Sequence, residues 1–530
     1  MTSTRICRRL TLAFVALSGA LLLLSIPAAA APEGGAGIRT GGSADIDRWI
    51  EDRMAARDLP GVAVAVVRGG RVVHLAGYGV ADETGRPVTP DTPFLLGSVS
   101  KPFTAAVVGQ LVEEGVLTWD EAVWPHLAHL VDESPDGFDA VTVEQLLTHT
   151  GGLGMYVGVA GEVRVHHGPD ALERRVRELL SRPLAGTPGN AFEYSNAGPM
   201  LLAAVVEQVT AATFAEQLRD RIFTPLGMAD SFATADDHRA GDLATGHRQW
   251  FGQWRPAALP YDDAGVAMGY VASTAADLAT FMQAHLEGHP AIPASALDIA
   301  TGLVEPTGWT TTLDAGYGRG WFVDELAGTT IVSHPGSLGH FTAHVLLAPE
   351  ADGLGIAVVS NASAFLAGGV GDRGHNAQYD LGFGLLRMLL GEEHQPVGPT
   401  ALMTVVIPAV AWGAVALLLI TGVRYVTRLR RGALRPTRRP GAGGWMRSVL
   451  PGAMYLGAGF VMVAAPLGMA RHFYPDVGWA LSFGAGLAIV LGVLRVVVTV
   501  WDGFRRPREP RERGPWPEWP HKSSREIACG

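Results

Sequence analysis

Between Ala44 and Arg57 the apolar residues Ile46, Trp49, Ile50 and Met54 recur at helical spacing, and Leu59-Pro60-Gly61 ends the run, so the pattern predicts an amphipathic helix. The period then shortens. Gly61 to Val67 and Arg71 to Gly77 read as two β-strands turned back through Arg68-Gly69-Gly70 as a hairpin. Thr92-Pro93 and the apolar Phe94-Leu95-Leu96 lead into a helix starting at Ser98, where Pro102 is tolerated in the first turn and Gly115 can close the end. From about residue 104 to 300 helical spacing dominates, with helices near Val143 to Leu147, Asp170 to Leu180, Met200 to Val209, Phe214 to Arg221 and Ala275 to Leu286. Strand patterns return at Gly320 to Glu325, Thr329 to Ser333, His340 to Leu347 and Gly355 to Ser360, followed by a helix near Gln378 to Leu390. Strands at both ends with helices between them predict an α+β domain over 44–395. Its antiparallel sheet is completed by both termini of the domain and flanked by helices, beside a large helical region.

Three later segments, 401–423, 449–470 and 477–500, are long and apolar enough to be read as transmembrane helices. Between the first two, 424–447 holds eight arginines and no acid, and the positive-inside rule puts it in the cytoplasm. The second span then returns outward, Arg471 to Gly478 forms a short outer turn, and the third re-enters. Arg495 near the inner end of the third can snorkel to the interface, and the Pro-, Arg- and Glu-rich stretch 501–530 reads as a disordered cytoplasmic tail. At the N-terminus Arg5, Arg8 and Arg9 precede an apolar run from Leu10 to Ile26 and then Pro27-Ala28-Ala29-Ala30-Ala31, the layout of a signal peptide over 1–31 with cleavage expected after Ala30. Uncleaved, it would anchor the domain on the same side of the membrane. A Gly-rich lead-in covers 32–43.

Composition fits this layout. A hydrophobic share of 48% and a mean hydropathy of +0.20 exceed those of an ordinary soluble enzyme, and membrane segments account for the excess. The only cysteines are Cys7 and Cys529, so the exported part can form neither a disulfide framework nor a cysteine metal site. Residues 32–423 carry 45 acidic and 21 basic side chains, a balance that argues against nucleic-acid binding.

Candidate chemistry begins at Gly97-Ser98-Val99-Ser100-Lys101. On a helix, a spacing of three puts the Ser98 hydroxyl and the Lys101 amine on one face, one turn apart. A serine hydroxyl needs a neighbouring base to become a nucleophile, and a lysine held neutral can be that base. The chain has two lysines, Lys101 and Lys522, and its other basic residues are arginines, which do not release a proton at ordinary pH. The lone internal lysine is therefore read as a proton carrier. Two further motifs accompany it: Tyr194-Ser195-Asn196, just before an apolar helix, and His334-Pro335-Gly336, after the strand Thr329 to Ser333. A nucleophile at a helix start, a tyrosine and amide on a loop and a strand-edge glycine can converge on one cleft.

Other polar residues carry plainer readings. His149 reads as a hydrogen-bonded structural histidine, and Tyr317 and Trp321 fit either cleft lining or core packing. His126, His129, His166 and His167 have no acidic or cysteine partner apparent in the sequence, so they read as surface residues and no metal site is expected.

The chain resembles the serine β-lactamase and penicillin-binding-protein superfamily, in its class C β-lactamase and DD-peptidase branch. The resemblance runs over roughly 44–391 in ordered blocks: FLLGSVSKPF at Phe94 to Phe103, VEQLLTHTGGL at Val143 to Leu153, FEYSNAG at Phe192 to Gly198, IFTPLGM at Ile222 to Met228, STAADL at Ser273 to Leu278, GYGRGW at Gly316 to Trp321 and HPGSLGHF at His334 to Phe341. It implies a β-lactamase/transpeptidase-like fold and a serine hydrolase without metal or organic cofactor. By the same resemblance Ser98 would be the acylated nucleophile, Lys101 would keep its proton mobile, and Tyr194 would act as base and then as acid. Asn196 would orient the substrate amide, and the N–H groups of Ser98 and Ser337 would form an oxyanion hole beside Gly336. His334 would take the position of the lysine in class C lactamases.

The sequence departs from the lactamase pattern at Pro335, where a hydroxyl would help hold a substrate carboxylate. A peptide, amide or ester substrate, including cell-wall peptides, is therefore expected in preference to efficient β-lactam turnover. The rival readings are an esterase or D-aminopeptidase of the same family and a non-hydrolytic receptor for cell-wall peptides or β-lactams. Substrate choice is expected to lie in the loops Tyr156 to Pro169 and Gln249 to Tyr270.

Overall fold

The computed structural model describes residues 42–154, 165–240, 242–294, 316–363, 380–392, 406–431, 442–464 and 475–504. The signal segment, nearly all of the lead-in, the tail beyond 504 and most of the loop expected over 156–169 lie outside the described residues. In chain order, α1 (Ser43–Arg57) precedes the hairpin β1 (Gly61–Arg68) and β2 (Arg71–Gly79). Strand β3 (Phe94–Leu95) leads through a 3-10 turn, Gly97–Val99, into α2 (Ser100–Glu113). The helical region carries α3 (Val143–Leu147), α4 (Ala171–Leu180) and α5 (Ala197–Thr210). The hairpin β4 (His247–Trp250) and β5 (Gln253–Pro256), a π-helical turn Val266–Tyr270, β6 (Ala272–Ser273) and α6 (Ala275–Glu287) follow. Then come β7 (Gly316–Gly318), β8 (Trp321–Leu326), β9 (Thr329–Ser337), β10 (Thr342–Ala348), β11 (Leu354–Ser360), β12 (Ala362–Ser363) and α7 (Asp380–Leu390).

Seven strands form one sheet in the order β2-β1-β11-β10-β9-β8-β7, antiparallel at every pairing. The β1–β11 pairing, Val62 opposite Ser360 through Val67 opposite Gly355, brings the two ends of the domain together, as the strand pattern predicts. Both faces of the central strands are covered, which explains why β1 reads as a continuous apolar run. Ala63, Ala65 and Val67 of β1 join a core with Phe103, Val107 and Leu278 on the helical side. Val62, Val64 and Val66 join a second core with Ile46 and Ile50 of α1 and Leu381 and Leu385 of α7. The two-residue period of a strand sends alternate side chains to opposite cores. Each fully buried aliphatic side chain contributes about 1.5–3 kcal/mol.

Several boundaries differ from the sequence reading. Ser98 sits in the 3-10 turn that feeds α2, two residues before the α-helix proper. Strand β9 continues past Ser333 to Ser337, so His334 and Gly336 lie within a paired strand, with His334 opposite Val345 and Gly336 opposite Ala343. The stretch read as the loop Gln249 to Tyr270 contains part of the β4–β5 hairpin and the π-helical turn. These pieces are too short for periodicity to reveal.

Toward the C-terminus three helices are described: α8 (Ile407–Arg430), α9 (Ala442–Ala464) and α10 (Pro475–Phe504). Two stretches, Ile407–Arg430 and Asp476–Trp501, are long and apolar enough to cross a membrane. The expected second span, 449–470, is helical as far as Ala464, but its described apolar stretch, Val449–Phe460, is shorter than a bilayer needs, and Pro451 lies inside it. Within this helical unit α9 and α10 approach closely at glycines. A Cβ on Gly459 would lie 2.5 Å from Ile489, and one on Gly492 would lie 2.6 Å from Leu456. The Arg495 guanidinium lies over the rings of Tyr425 and Tyr455, 4.9 and 5.1 Å from their centroids.

Candidate active site

The turn that presents Ser98 depends on two glycines. Gly97 has φ +54°, and a Cβ there would lie 2.6 Å from the Ser337 backbone nitrogen. Gly336 on β9 would place a Cβ 2.0 Å from the Leu96 carbonyl oxygen. Glycine at both positions lets the end of β9 lie against the Ser98 turn, which brings the Ser337 backbone N–H beside the nucleophile candidate. From that turn α2 carries Lys101 inward within its first turn, to 1% exposure.

Buried there, the Lys101 Nζ meets three oxygens: Ser98 Oγ at 2.9 Å, Asn196 Oδ1 at 2.8 Å and the Met268 carbonyl at 2.9 Å. Three acceptors match the three N–H donors of an ammonium group. The same set can be satisfied with the amine neutral, when Ser98 Oγ–H donates to Nζ, or charged, when Nζ donates to all three oxygens. The same nitrogen lies 4.9 Å from the centroid of the Tyr194 ring. Ser98 itself is half-buried.

Asn196 stands immediately before α5 and is buried, while Tyr194 on the preceding loop is only partly covered. The stretch before them is held by His149, which follows the short helix α3. A capping box fixes that helix, with Thr142 Oγ1 accepting the Gln145 N–H and Gln145 Oε1 accepting the Thr142 N–H.

His334, read as taking the position of a lysine, is fully buried. Its Nδ1 donates to the Pro335 carbonyl at 2.8 Å, and its Nε2 lies 3.3 Å from the Tyr317 hydroxyl. Burial, followed by the charge of Lys101, holds its pKa well below the ordinary histidine value. A neutral ring packed behind Tyr194, 6.4 Å away by centroid, is not a carboxylate clamp in the cleft. On the other side of β9, Ser337 Oγ lies 2.9 Å from Ser363 Oγ.

Thus the structure brings Ser98, Lys101, Tyr194, Asn196, Gly336 and Ser337 to one place and sets His334 behind them. Sequence reasoning missed Met268, whose carbonyl is the third partner of Lys101. A backbone acceptor on a π-helical turn leaves no signal in side-chain type. It also left Tyr317 between cleft and core; the ring is fully buried and hydrogen-bonded to two histidines. Trp321 is core. His126 and His166 do have acidic neighbours, Glu121 at 2.8 Å and Glu178 at 3.3 Å, brought to them by the fold. Among the described residues no group of three or more His, Cys, Asp or Glu side chains gathers as a metal site.

A serine hydrogen-bonded to a buried lysine, on an antiparallel sheet packed against a helical region, is the arrangement of a serine hydrolase of the β-lactamase and penicillin-binding-protein superfamily. The chain belongs to the Beta-lactamase family, which it matches over residues 46–380. It is 35% identical over 209 residues to esterase EstB of Burkholderia gladioli, a stretch that is 37% of this chain and 53% of that protein. With penicillin-binding protein 4 of Amycolatopsis lactamdurans it shares 30% identity over 321 residues, 58% of this chain and 82% of the relative. Among solved structures, the octameric penicillin-binding protein homologue from Pyrococcus abyssi aligns with a TM-score of 0.55 at 28% identity, covering 66% of this chain and 78% of that one.

Proposed function

We propose that the protein is a membrane-anchored, extracytoplasmic serine hydrolase that cleaves amide or ester bonds through an acyl-enzyme on Ser98. The observation that carries the reading is the three-acceptor cage of the Lys101 Nζ with Ser98 Oγ, Asn196 Oδ1 and the Met268 carbonyl. Ser98 Oγ attacks the substrate carbonyl carbon as its proton moves toward Lys101 and Tyr194. The tetrahedral oxyanion is held by the N–H groups of Ser98 and Ser337, where losing one donor costs about 3 kcal/mol. Tyr194 returns the proton to the leaving amine or alcohol, and water then cleaves the acyl-serine with the same groups acting in reverse. Asn196 orients both Lys101 and the substrate amide.

The substrate class follows from what the third motif lacks. Pro335 supplies no hydroxyl and His334 is neutral and buried, so this motif offers neither half of a carboxylate clamp. Peptide, amide or ester substrates that do not depend on that clamp, cell-wall peptides among them, fit better than β-lactams destined for rapid hydrolysis. The likeness to an esterase and to a penicillin-binding protein supports both an ester-cleaving and a DD-peptidase-like activity. Anchoring rests on the two apolar helices Ile407–Arg430 and Asp476–Trp501, and the orientation rests on the eight arginines of 424–447.

The test is to treat the full-length chain in detergent with a fluorescent penicillin and a fluorescent phosphonate and to locate the label by mass spectrometry. Label on Ser98, lost in Ser98→Ala, is expected. Label on another residue, or label that persists in Ser98→Ala, sinks the mechanism. Labelling by phosphonate but not by penicillin favours the esterase or aminopeptidase side.

A further inference from the structure

Behind Tyr194 lies a chain of three buried side chains that the acyl-transfer reaction does not itself use. His149 has φ +58° and is buried. Its carbonyl accepts the Glu193 N–H at 2.8 Å, and its ring Nδ1 accepts the Ser195 N–H at 3.3 Å. One residue thus holds the backbone on both sides of Tyr194, while its ring lies 4.4 Å from the tyrosine ring by centroid. Because Nδ1 accepts, the proton of the neutral ring is assigned to Nε2, which lies 3.2 Å from the Tyr317 hydroxyl.

The far end of the chain fixes the same direction. His334 Nδ1 faces the Pro335 carbonyl, an acceptor only, so Nδ1 carries the proton and Nε2 is left to accept from Tyr317 at 3.3 Å. Each proton then has one place: His149 Nε2–H to Tyr317 Oη, Tyr317 Oη–H to His334 Nε2, and His334 Nδ1–H to the Pro335 carbonyl. Three neutral groups suit this order. Burial, first, and then Lys101 lower the pKa of both histidines, while burial and then Tyr194 raise that of Tyr317. The segments that carry the chain are tied a second time, since Arg319 donates to Glu144 Oε1 at 2.8 and 3.1 Å and stacks 4.2 Å over the Trp119 ring.

We infer that His149, Tyr317 and His334 form a one-way hydrogen-bonded clamp that positions Tyr194 against Lys101, linking the Tyr194-x-Asn196 loop to the β9 motif that carries Gly336 and Ser337. This rests on the acyl-serine reading and gives His334 a task other than binding substrate. All three are positioning residues: their effect reaches the chemistry through Tyr194 and the edge of β9. A displacement of the reacting groups by a fraction of an ångström lowers the rate of acylation and leaves ground-state binding nearly unchanged.

The test uses the full-length chain in detergent with p-nitrophenyl butyrate, with kcat, KM and thermal midpoint measured for Tyr317→Phe, His149→Asn, His149→Ala and the double variant Tyr317→Phe/His149→Asn. Asparagine tolerates positive φ, and its Oδ1 can take the Ser195 N–H as Nδ1 does, so His149→Asn keeps the tie to the loop while removing the link to Tyr317 and the ring contact with Tyr194. The expected results are a kcat lowered about ten-fold in Tyr317→Phe with KM within about two-fold, a similar kcat in His149→Asn, no further loss in the double variant, and a much lower kcat in His149→Ala.

A wild-type kcat in Tyr317→Phe, or additive losses in the double variant, overturns the clamp. So does a loss in Tyr317→Phe seen in KM rather than kcat. Tyr317→Phe keeps the ring and the packing, so its outcome stands even if His149→Ala fails to fold. Ser98→Ala separates the two readings. An inactive Ser98→Ala beside an unimpaired Tyr317→Phe sinks the clamp alone, while turnover in Ser98→Ala sinks the acyl-serine reading and the clamp with it.

Discussion

Gly336 crosses the chain at Leu96 so closely that a methyl group in place of its hydrogen would stand 2.0 Å from the Leu96 carbonyl oxygen. The contact is backbone against backbone, so no side chain can rotate away to relieve it. Gly336→Ala must push β9 off the Ser98 turn. That cost falls in the overpacking range of about 1–3 kcal/mol and moves the Ser337 N–H away from Ser98. The expected outcome is a lower thermal midpoint together with loss of phosphonate labelling at Ser98. Normal labelling of a normally stable variant would show that the two segments part without consequence.

Lys101→Arg keeps a positive charge but cannot supply a neutral nitrogen at ordinary pH. Its planar fork also cannot reproduce three bonds converging on one atom from Ser98, Asn196 and Met268. Turnover is expected to fall by about 10²–10⁴-fold, the usual worth of a positioned base, and is read from steady-state ester hydrolysis. Activity within a few-fold of wild type would reduce the lysine to an electrostatic role.

Buried neutral histidines give the fold an acid limit. Burial lowers the pKa of His285 to about 4 even as its Nδ1 bonds the Phe281 carbonyl at 2.9 Å, and His149 and His334 are also held well below the ordinary value. In the unfolded chain each takes up a proton near pH 6.5. Below that pH the unfolded state binds more protons than the folded one, so stability is full above about pH 6.5 and is lost as the pH falls toward the folded values. Each such histidine contributes a slope of up to about 1.4 kcal/mol per pH unit. Thermal unfolding between pH 8 and 5 should show a midpoint that declines below about pH 6.5 and declines less in His285→Gln. A midpoint independent of pH would refute this account.

Arg319 is nearly buried against Glu144 and Trp119, while Glu144 is about one third exposed. Removing the arginine leaves a partly solvated carboxylate, so the loss should be smaller than for a fully buried pair, about 1–3 kcal/mol. Arg319→Met is expected to be less stable than Glu144→Gln, because only the former also loses the stacking on Trp119. Denaturant unfolding of both variants checks the order.

Two apolar helices of spanning length make a simple fractionation prediction. The full-length chain should stay with membranes through high salt and alkaline carbonate and be released only by detergent. Release by carbonate alone would mean that the helices lie on the membrane or pack elsewhere.

The order of the long strands and helices in the catalytic domain was legible because each carries a clear pattern: short, mostly apolar runs in β1, β10 and β11, whose two faces are both buried, and a period of 3.6 in α1 and α6. That Ser98, Lys101, Tyr194 and Asn196 would meet in one place was legible for a different reason. Their spacing within short motifs is set by local turns, and a single lysine among arginines is visible without any fold. Even the approach of both termini could be read, since strands at the two ends of a domain must pair to bury their faces.

Tertiary structure decided what depends on distance between remote segments. It placed the Met268 carbonyl on Lys101, buried His334 against Tyr317, and extended β9 through Gly336 because β10 offered partners as far as Ser337. It also joined His149 to Tyr317 and His334 across segments far apart in the chain. The physical reason is the same in each case. Residue type and period report which groups a segment can bury or bond, while which partner satisfies a buried polar atom is fixed only when packing brings two distant stretches of chain within about 3 Å.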